Sequence, residues 1–200
     1  MNLVLQGYAA AAPALVAAYE ALVPEQVYGP VLDLFPNRPA RVVDIGAGTG
    51  RDAAWLAGQG HDVLAVEPVR ELREVGQAIH GSRRLSWLDD LLPDLASARR
   101  RGPFDVAVAS GVWHHLPESD QVRAIKTLAS LLAPAGTALV SLRHGPAPPD
   151  RPGFPVPPDA TVERALRADL HLVRRADVAS IQPANQAAGV TWTWLALRRG

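Results

Sequence analysis

Residues 42–52, VVDIGAGTGRD, carry an apolar run into three glycines at alternate positions and then toward a helix. Glycine enters the left-handed backbone region without steric cost and lets a ligand approach the main chain. A glycine turn between strand and helix is therefore a cradle for a nucleotide-like molecule. The remainder of the chain repeats the same alternation of short apolar runs and helical stretches, which predicts βαβ units and a parallel sheet. Strands are expected at 41–45, 62–66, 84–88, 104–109, 137–142, 170–176 and 191–197. Several are near-continuous apolar runs, as strands covered on both faces are.

Helices are expected at 51–58, 69–79, 91–100, 119–132 and 160–167, with one or two more ahead of the first strand, at 11–22 and 24–34. Asp52 and Ser119 are the expected N-caps, and Pro134 with Gly136 is expected to close the helix at 119–132. The segment 144–159, HGPAPPDRPGFPVPPD, excludes helix and sheet-interior pairing through its prolines. It reads either as a rigid surface loop or as a partial wall over a pocket at the carboxyl ends of the strands. Two hundred residues suit one domain. Its expected parts are a helical cap over 1–39, a cofactor-binding core over 40–142, and a substrate-side loop with the final strands over 143–200.

Acidic and basic residues balance at 20 each, and Lys126 is the single lysine, so no positive field argues for nucleic acid. The chain has no cysteine, which excludes disulfides, thiolate metal sites and thiol nucleophiles. Its apolar N-terminus lacks a basic leader segment and holds Tyr19 and Glu20 where small residues would mark cleavage. No run approaches the ~18 apolar residues of a membrane span. A cytoplasmic protein without a membrane partner is expected, either monomer or homodimer.

The spacing identifies the cradle's guest. A dinucleotide turn reads G-x-G-x-x-G so that the helix N-terminus can receive a pyrophosphate. Here the third glycine is Gly50, and Arg51 stands where the dinucleotide pattern needs glycine. Asp44, just before the turn, would repel a pyrophosphate and hold an ammonium. No phosphate-binding G-x-x-x-x-G-K-[ST] occurs.

DIGAGTG, residues 44–50, resembles the D/E-x-G-x-G-x-G motif of class I S-adenosylmethionine-dependent methyltransferases. Three further matches follow in order: Glu67-Pro68 at the tip of the second strand, Asp89-Asp90 after the third, and FDVAVASGVWHHL, 104–116, from the fourth. The resemblance covers roughly positions 40–142. It implies a Rossmann-like α/β fold, a seven-stranded, mostly parallel sheet with helices on both faces and an antiparallel last strand. It also implies S-adenosylmethionine as cofactor, with S-adenosylhomocysteine as product.

By that resemblance, Asp44, Gly46, Ala47, Gly48 and Gly50 cradle the methionine end, with Arg51 a candidate for its carboxylate. A carboxylate at the tip of strand two, Glu67, can take both ribose hydroxyls, and Pro68 lies against adenine. Asp89 accepts from the adenine amino group while Asp90 offers its N–H; Asp90 equally suits a helix cap near Leu91. Ser110 and Gly111 bring carbonyls to the ammonium.

Methyl transfer needs alignment above all, and a base only when the acceptor must lose a proton. His114, His115 and His144 are the candidates for that role, with a scaffold role open for the first two. Adjacent histidines point apart, so no metal is expected. Tyr19, Trp113, His114, Arg143 and His144 are candidate substrate contacts; Arg143 could clamp a carboxylate or phosphate, or simply lie at the surface. Tyr28 could cover the cofactor, and Trp192 and Trp194 alternate on the last strand as filler.

Zero cysteine marks down cytosine-C5 transfer, and SGVW after the fourth strand departs from the [DNS]-P-P-[YFW] of exocyclic-amine DNA enzymes. The expected acceptor is an O or N atom of a small molecule. Transfer to protein or RNA, a cofactor-binding protein without activity, and a Rossmann oxidoreductase are the alternatives.

Overall fold

The computed structural model describes residues 3–200. Its sheet has seven strands in the order β3-β2-β1-β4-β5-β7-β6. They are β1 (Arg41–Ile45), β2 (Asp62–Val66), β3 (Leu85–Leu88), β4 (Phe104–Ala109), β5 (Leu132–His144), β6 (Leu170–Ala179) and β7 (Thr191–Arg199). The first five pair in parallel, and β7 runs antiparallel between β5 and β6. The antiparallel last strand implied by the resemblance is present. The chain crosses from β5 to the parallel β6 through the helix at Pro158–Leu166, and β7 then returns antiparallel into the place between them.

Alternation along the strands sorts side chains between two cores. Val43 and Ile45 of β1 join Ile125, Leu128 and Leu131 of α6 (Glu118–Leu131) and Ala165 of α7 (Pro158–Leu166). Val42 faces the other way, against Ala53 and Leu56 of α3 (Arg51–Gly58) and the 3-10 turn Gly29–Leu34. Helices thus cover both faces, which is why the strands are apolar throughout. Outside these layers, α1 (Leu3–Glu20) lies on α4 (Arg70–Ile79), where Ala12 meets Val69 and Leu72.

Several boundaries differ from the sequence expectation. The helix expected at 91–100 shrinks to α5 (Ala96–Arg99), since Pro93 lies in the segment before it. Asp52 and Ser119 sit inside their helices, and Gly50 and Pro117 occupy the cap positions. Pro134 and Gly136 do not form a separate stop: α6 runs directly into β5. The register between β4 and β5 shifts there, from Phe104 opposite Leu132 to Val106 opposite Thr137. The first helix begins at Leu3 rather than near Ala11, and α2 (Pro24–Val27) precedes the 3-10 turn. A short helix, α8 (Pro183–Ala187), was not expected. Among the described residues no helix is long and apolar enough to cross a membrane.

Tyr28 fastens the N-terminal segment to the sheet. It is fully buried, stacked on Trp55 at 5.8 Å, edge-on to Phe35 and beside Trp194. Its hydroxyl donates to Asp52 Oδ2 at 2.9 Å. Replacing it by Phe keeps the rings and removes the hydrogen bond. The Tyr28→Phe variant is expected to lose about 1–2 kcal/mol of stability, read as a lower urea midpoint at unchanged slope.

Candidate active site

At the carboxyl end of β1 the chain turns back on itself. The N–H groups of Gly46 and Ala47 both donate to Val66 O, at 2.8 and 3.0 Å, and lock the turn to the tip of β2. Gly46 has φ 71° and Gly50 φ 78°, values that strain any residue with a side chain. Space forbids one as well: a Cβ on Gly46 would stand 2.2 Å from Val112, and one on Gly50 would stand 2.5 Å from the Trp87 ring.

Glu67, at the tip of β2, ties this turn to the next. Its Oε2 accepts from Gly48 N at 2.7 Å and its Oε1 from Val69 N at 2.8 Å. Burial raises its pKa to about 7, held from going higher by these two donors and by Arg73. Each oxygen keeps a lone pair for a further donor.

Asp44 follows the strand alternation onto the α3 face, beneath the turn. The Ala53 N–H of the first helical turn faces its carboxyl and works against the rise in its pKa. Burial and the neighbouring Asp52 raise its pKa, opposed by Arg51. Its Oδ2 is buried without a partner. Arg51 is engaged: Nε and Nη2 bind Asp52 at 2.7 and 2.8 Å, and Nη1 donates to Tyr19 O at 2.8 Å.

Above these turns lies a cavity of about 670 Å³, within the size range of small-molecule sites. One end holds Gly46, Ala47, Gly48, Glu67, Pro68 and Asp90. The other is walled by Ser110, His114, His115, Arg143 and Trp192, with Arg151 from the proline-rich loop. Val4, Leu5, Tyr8, Leu15 and Tyr19 of α1 close it from above.

The two histidines differ. His114 is pulled down to about 2 by burial, His115 and Arg143, and its Nδ1 is buried without a partner. Burial also lowers His115, so both rings are neutral at pH 7. His115 Nδ1 lies 2.9 Å from Pro152 O, a carbonyl that can only accept. The proton therefore sits on Nδ1, and Nε2 accepts from the Tyr8 hydroxyl at 2.9 Å.

Other expected site residues stand elsewhere. Asp44 and Gly50 lie beneath the cavity rather than on its wall. Asp89 turns outward to Arg73 at 3.0 Å, leaving Asp90 at the wall. The Asp90 carboxylate is itself occupied by the N–H groups of Leu91, Ser97 and Ala98. Trp113 is fully buried in the α6-side core. His144 faces the opposite side of β5 from Arg143 and hydrogen-bonds Thr193 Oγ1 at 2.9 Å, away from the cavity. Tyr28 is packed below the sheet, as described above.

Tyr8, Arg151 and Ser141 were not anticipated. Tyr8 had a signal: Val4, Tyr8, Leu15 and Tyr19 recur at one-face helical spacing, hidden because the helix was expected to start later. Trp192 and Trp194, expected to be filler, both border the cavity.

The residues fit a nucleoside with an amino-acid end. The glycine turn leaves main chain bare, Glu67 retains two acceptor sites at the β2 tip, and an unpartnered carboxylate oxygen lies under the turn.

Comparison with known proteins agrees. Residues 19–195 match a family model described as a methyltransferase domain. The ubiquinone biosynthesis O-methyltransferase of Xanthomonas campestris pv. campestris is 33% identical over 111 residues, 54% of this chain and 45% of that protein. An uncharacterized methyltransferase of Mycobacterium bovis is 32% identical over 110 residues, 52% of this chain and 40% of its own. The chain thus spans less than half the length of these curated relatives. Among solved structures, the 1,6-didemethyltoxoflavin-N1-methyltransferase of Burkholderia thailandensis, with S-adenosylhomocysteine bound, superposes at TM-score 0.75 and 20% identity. That match covers 98% of this chain and 87% of the other. A TehB-like methyltransferase of Corynebacterium glutamicum superposes at 0.65 and 22% identity, covering 98% of both. With the family model spanning most of its length and the sheet order and glycine turn in place, the chain belongs to the class I S-adenosylmethionine-dependent methyltransferases.

Proposed function

We propose that this protein transfers a methyl group from S-adenosylmethionine to an O or N atom of a small molecule. The observation that carries the small-molecule reading is the cover. Along α1, Tyr8 and Tyr19 line the cavity, and the loop after β5 packs tightly on the same helix: a Cβ on Gly7 would stand 2.0 Å from Asp150 O. Such a cover narrows the access that RNA or a protein segment would need.

When bound, the cofactor supplies an activated methyl on a sulfonium. Glu67 holds the two ribose hydroxyls with its free lone pairs, while the 46–48 turn supports the methionine end. Asp44, beneath the turn, would face the ammonium, whose positive charge would favour ionisation of a carboxyl that burial otherwise disfavours. The chain's main contribution is alignment of the acceptor atom with the methyl. His115 is the proton acceptor of the pair, acting through Tyr8: the Tyr8 hydroxyl would pass its proton to Nε2, the basic nitrogen, as its oxygen takes the acceptor's proton. His114 is too acidic for that task at neutral pH. His144 has no part in it, since it lies on the other face of β5.

Calorimetric titration with S-adenosylhomocysteine tests the cofactor assignment. Tight binding is expected, and stabilisation by NAD instead would overturn it. Release of S-adenosylhomocysteine with small hydroxyl or amine acceptors, against methyl label entering protein or RNA, tests the acceptor class.

Two further outcomes follow from the geometry. Gly46→Ala drives a methyl group into Val112, so S-adenosylhomocysteine affinity is expected to fall more than tenfold in the same titration. The second concerns pH. Glu67 in the free protein has its pKa raised to about 7, so below that value it is increasingly protonated. Ribose hydroxyls donate to the ionised form and favour it. Affinity is therefore expected to be flat above pH 8 and to fall as pH drops through 7, approaching about tenfold per unit at lower pH. Glu67→Ala should abolish this dependence along with most of the affinity.

A further inference from the structure

The acceptor end of the cavity has an unbalanced charge. Arg143 on β5 and Arg151 on the following loop both line it. Both guanidiniums act on Tyr8 and on His115, so they converge on the same end of the cavity as the proposed proton acceptor. Among the described residues Arg143 makes no ion pair, and its one hydrogen bond is a long contact of 3.4 Å to Gly145 O. Burial lowers its pKa from the usual guanidinium value, the mark of a charge that lacks compensation. Arg151 lies over the Tyr8 ring at 5.3 Å. Among the described residues its one carboxylate partner is Asp150, 3.5 Å from an Nε that is otherwise buried without a hydrogen bond.

The acids of the cavity are held at the other end. Asp52 is bound to Arg51, Glu67 to two backbone N–H groups, and Asp90 to three. Of the arginines, Arg51 acts most on Asp44 and Arg73 on Glu67. Neither Arg143 nor Arg151 is therefore neutralised by the cofactor-side acids. Keeping the Arg143 guanidinium partly desolvated without an ion pair, and that of Arg151 with one long pair to a half-exposed carboxylate, is costly, and an anion entering between them would recover that cost through charge-assisted hydrogen bonds.

The wall beside Arg143 is aromatic. In the antiparallel β5–β7 pair Arg143 stands opposite Trp192, and Trp192 lies edge-on to His114 with centroids 6.3 Å apart. A flat ring could rest on the indole with its anionic substituent toward Arg143.

We propose that the methyl acceptor is a ring-bearing small molecule with a carboxylate or phosphate group, received by Arg143 and Arg151. This rests on the methyltransferase reading above and adds the acceptor's chemical class. The two arginines are specificity-determining residues, whereas His115 is assigned to the transferred proton.

The test uses the full chain saturated with S-adenosylhomocysteine and titrated with benzoate, phenyl phosphate and the neutral benzamide. At least one anion is expected to bind tenfold or more tightly than benzamide, and the tighter of the two identifies carboxylate or phosphate as the group received. Arg143→Gln and Arg151→Gln should each cut that preference severalfold while S-adenosylhomocysteine affinity stays as in the parent. That affinity also reports that each variant is folded. Arg143→Lys, which keeps the charge but not the planar fork, should retain part of the preference. Equal binding of benzamide, no binding of either anion, or an anion preference that survives both Gln variants would overturn the proposal. So would loss of S-adenosylhomocysteine affinity in Arg143→Gln alongside native stability, which would assign that arginine to the cofactor's own carboxylate. Failure of the parent chain to bind S-adenosylhomocysteine would sink the underlying methyltransferase reading instead.

Discussion

The Glu67 carboxylate is the joint on which the cofactor end of the cavity depends. One oxygen holds the glycine turn that follows β1, through Gly48 N, and the other holds the start of α4, through Val69 N. A buried carboxylate is costly, and its raised pKa shows that two backbone donors do not cover the whole cost. Each oxygen keeps a lone pair, so under the proposed function a ligand's two hydroxyls would meet what remains, and the structural tie and the binding group would be the same atoms.

A second consequence follows from how the cavity is closed. The cover is a largely apolar helix laid on α4 and a proline-rich loop. Polar ties hold it: Arg51 to Tyr19 O, Thr49 to Glu20, His80 to Glu20 at 3.0 Å, and Tyr8 to His115. Most of these partners sit on the cofactor turn, on α4 or beside the acceptor end. The cover and the two ends of the cavity are therefore tied together through the same side chains.

The fold was largely legible in the sequence because its signals are local. Strands β1, β2 and β4 fall at the residues where apolar runs stand between turns, and α3 starts directly after the third glycine. Where the reading slipped, a tertiary contact had replaced a local rule. Gly50 takes the cap position of α3, and Asp52, inside the helix, is held instead by Arg51 and Tyr28. The turn expected at Pro134 and Gly136 became a shift of register within β5, because pairing with β4 outweighed the local breakers.

The site divides in the same way. By itself the sequence determined the family, the glycine turn and the acid at the tip of β2, since each rests on spacing within a few residues of one strand end. Only the tertiary structure decided which neighbours face the cavity. Strand alternation sends Arg143 in and His144 out, and Asp44 beneath the turn rather than onto its wall. A helix more than a hundred residues away supplies Tyr8 to His115. Such pairings depend on how layers stack and on which face a strand presents, and no local pattern encodes the meeting of two surfaces distant in the chain.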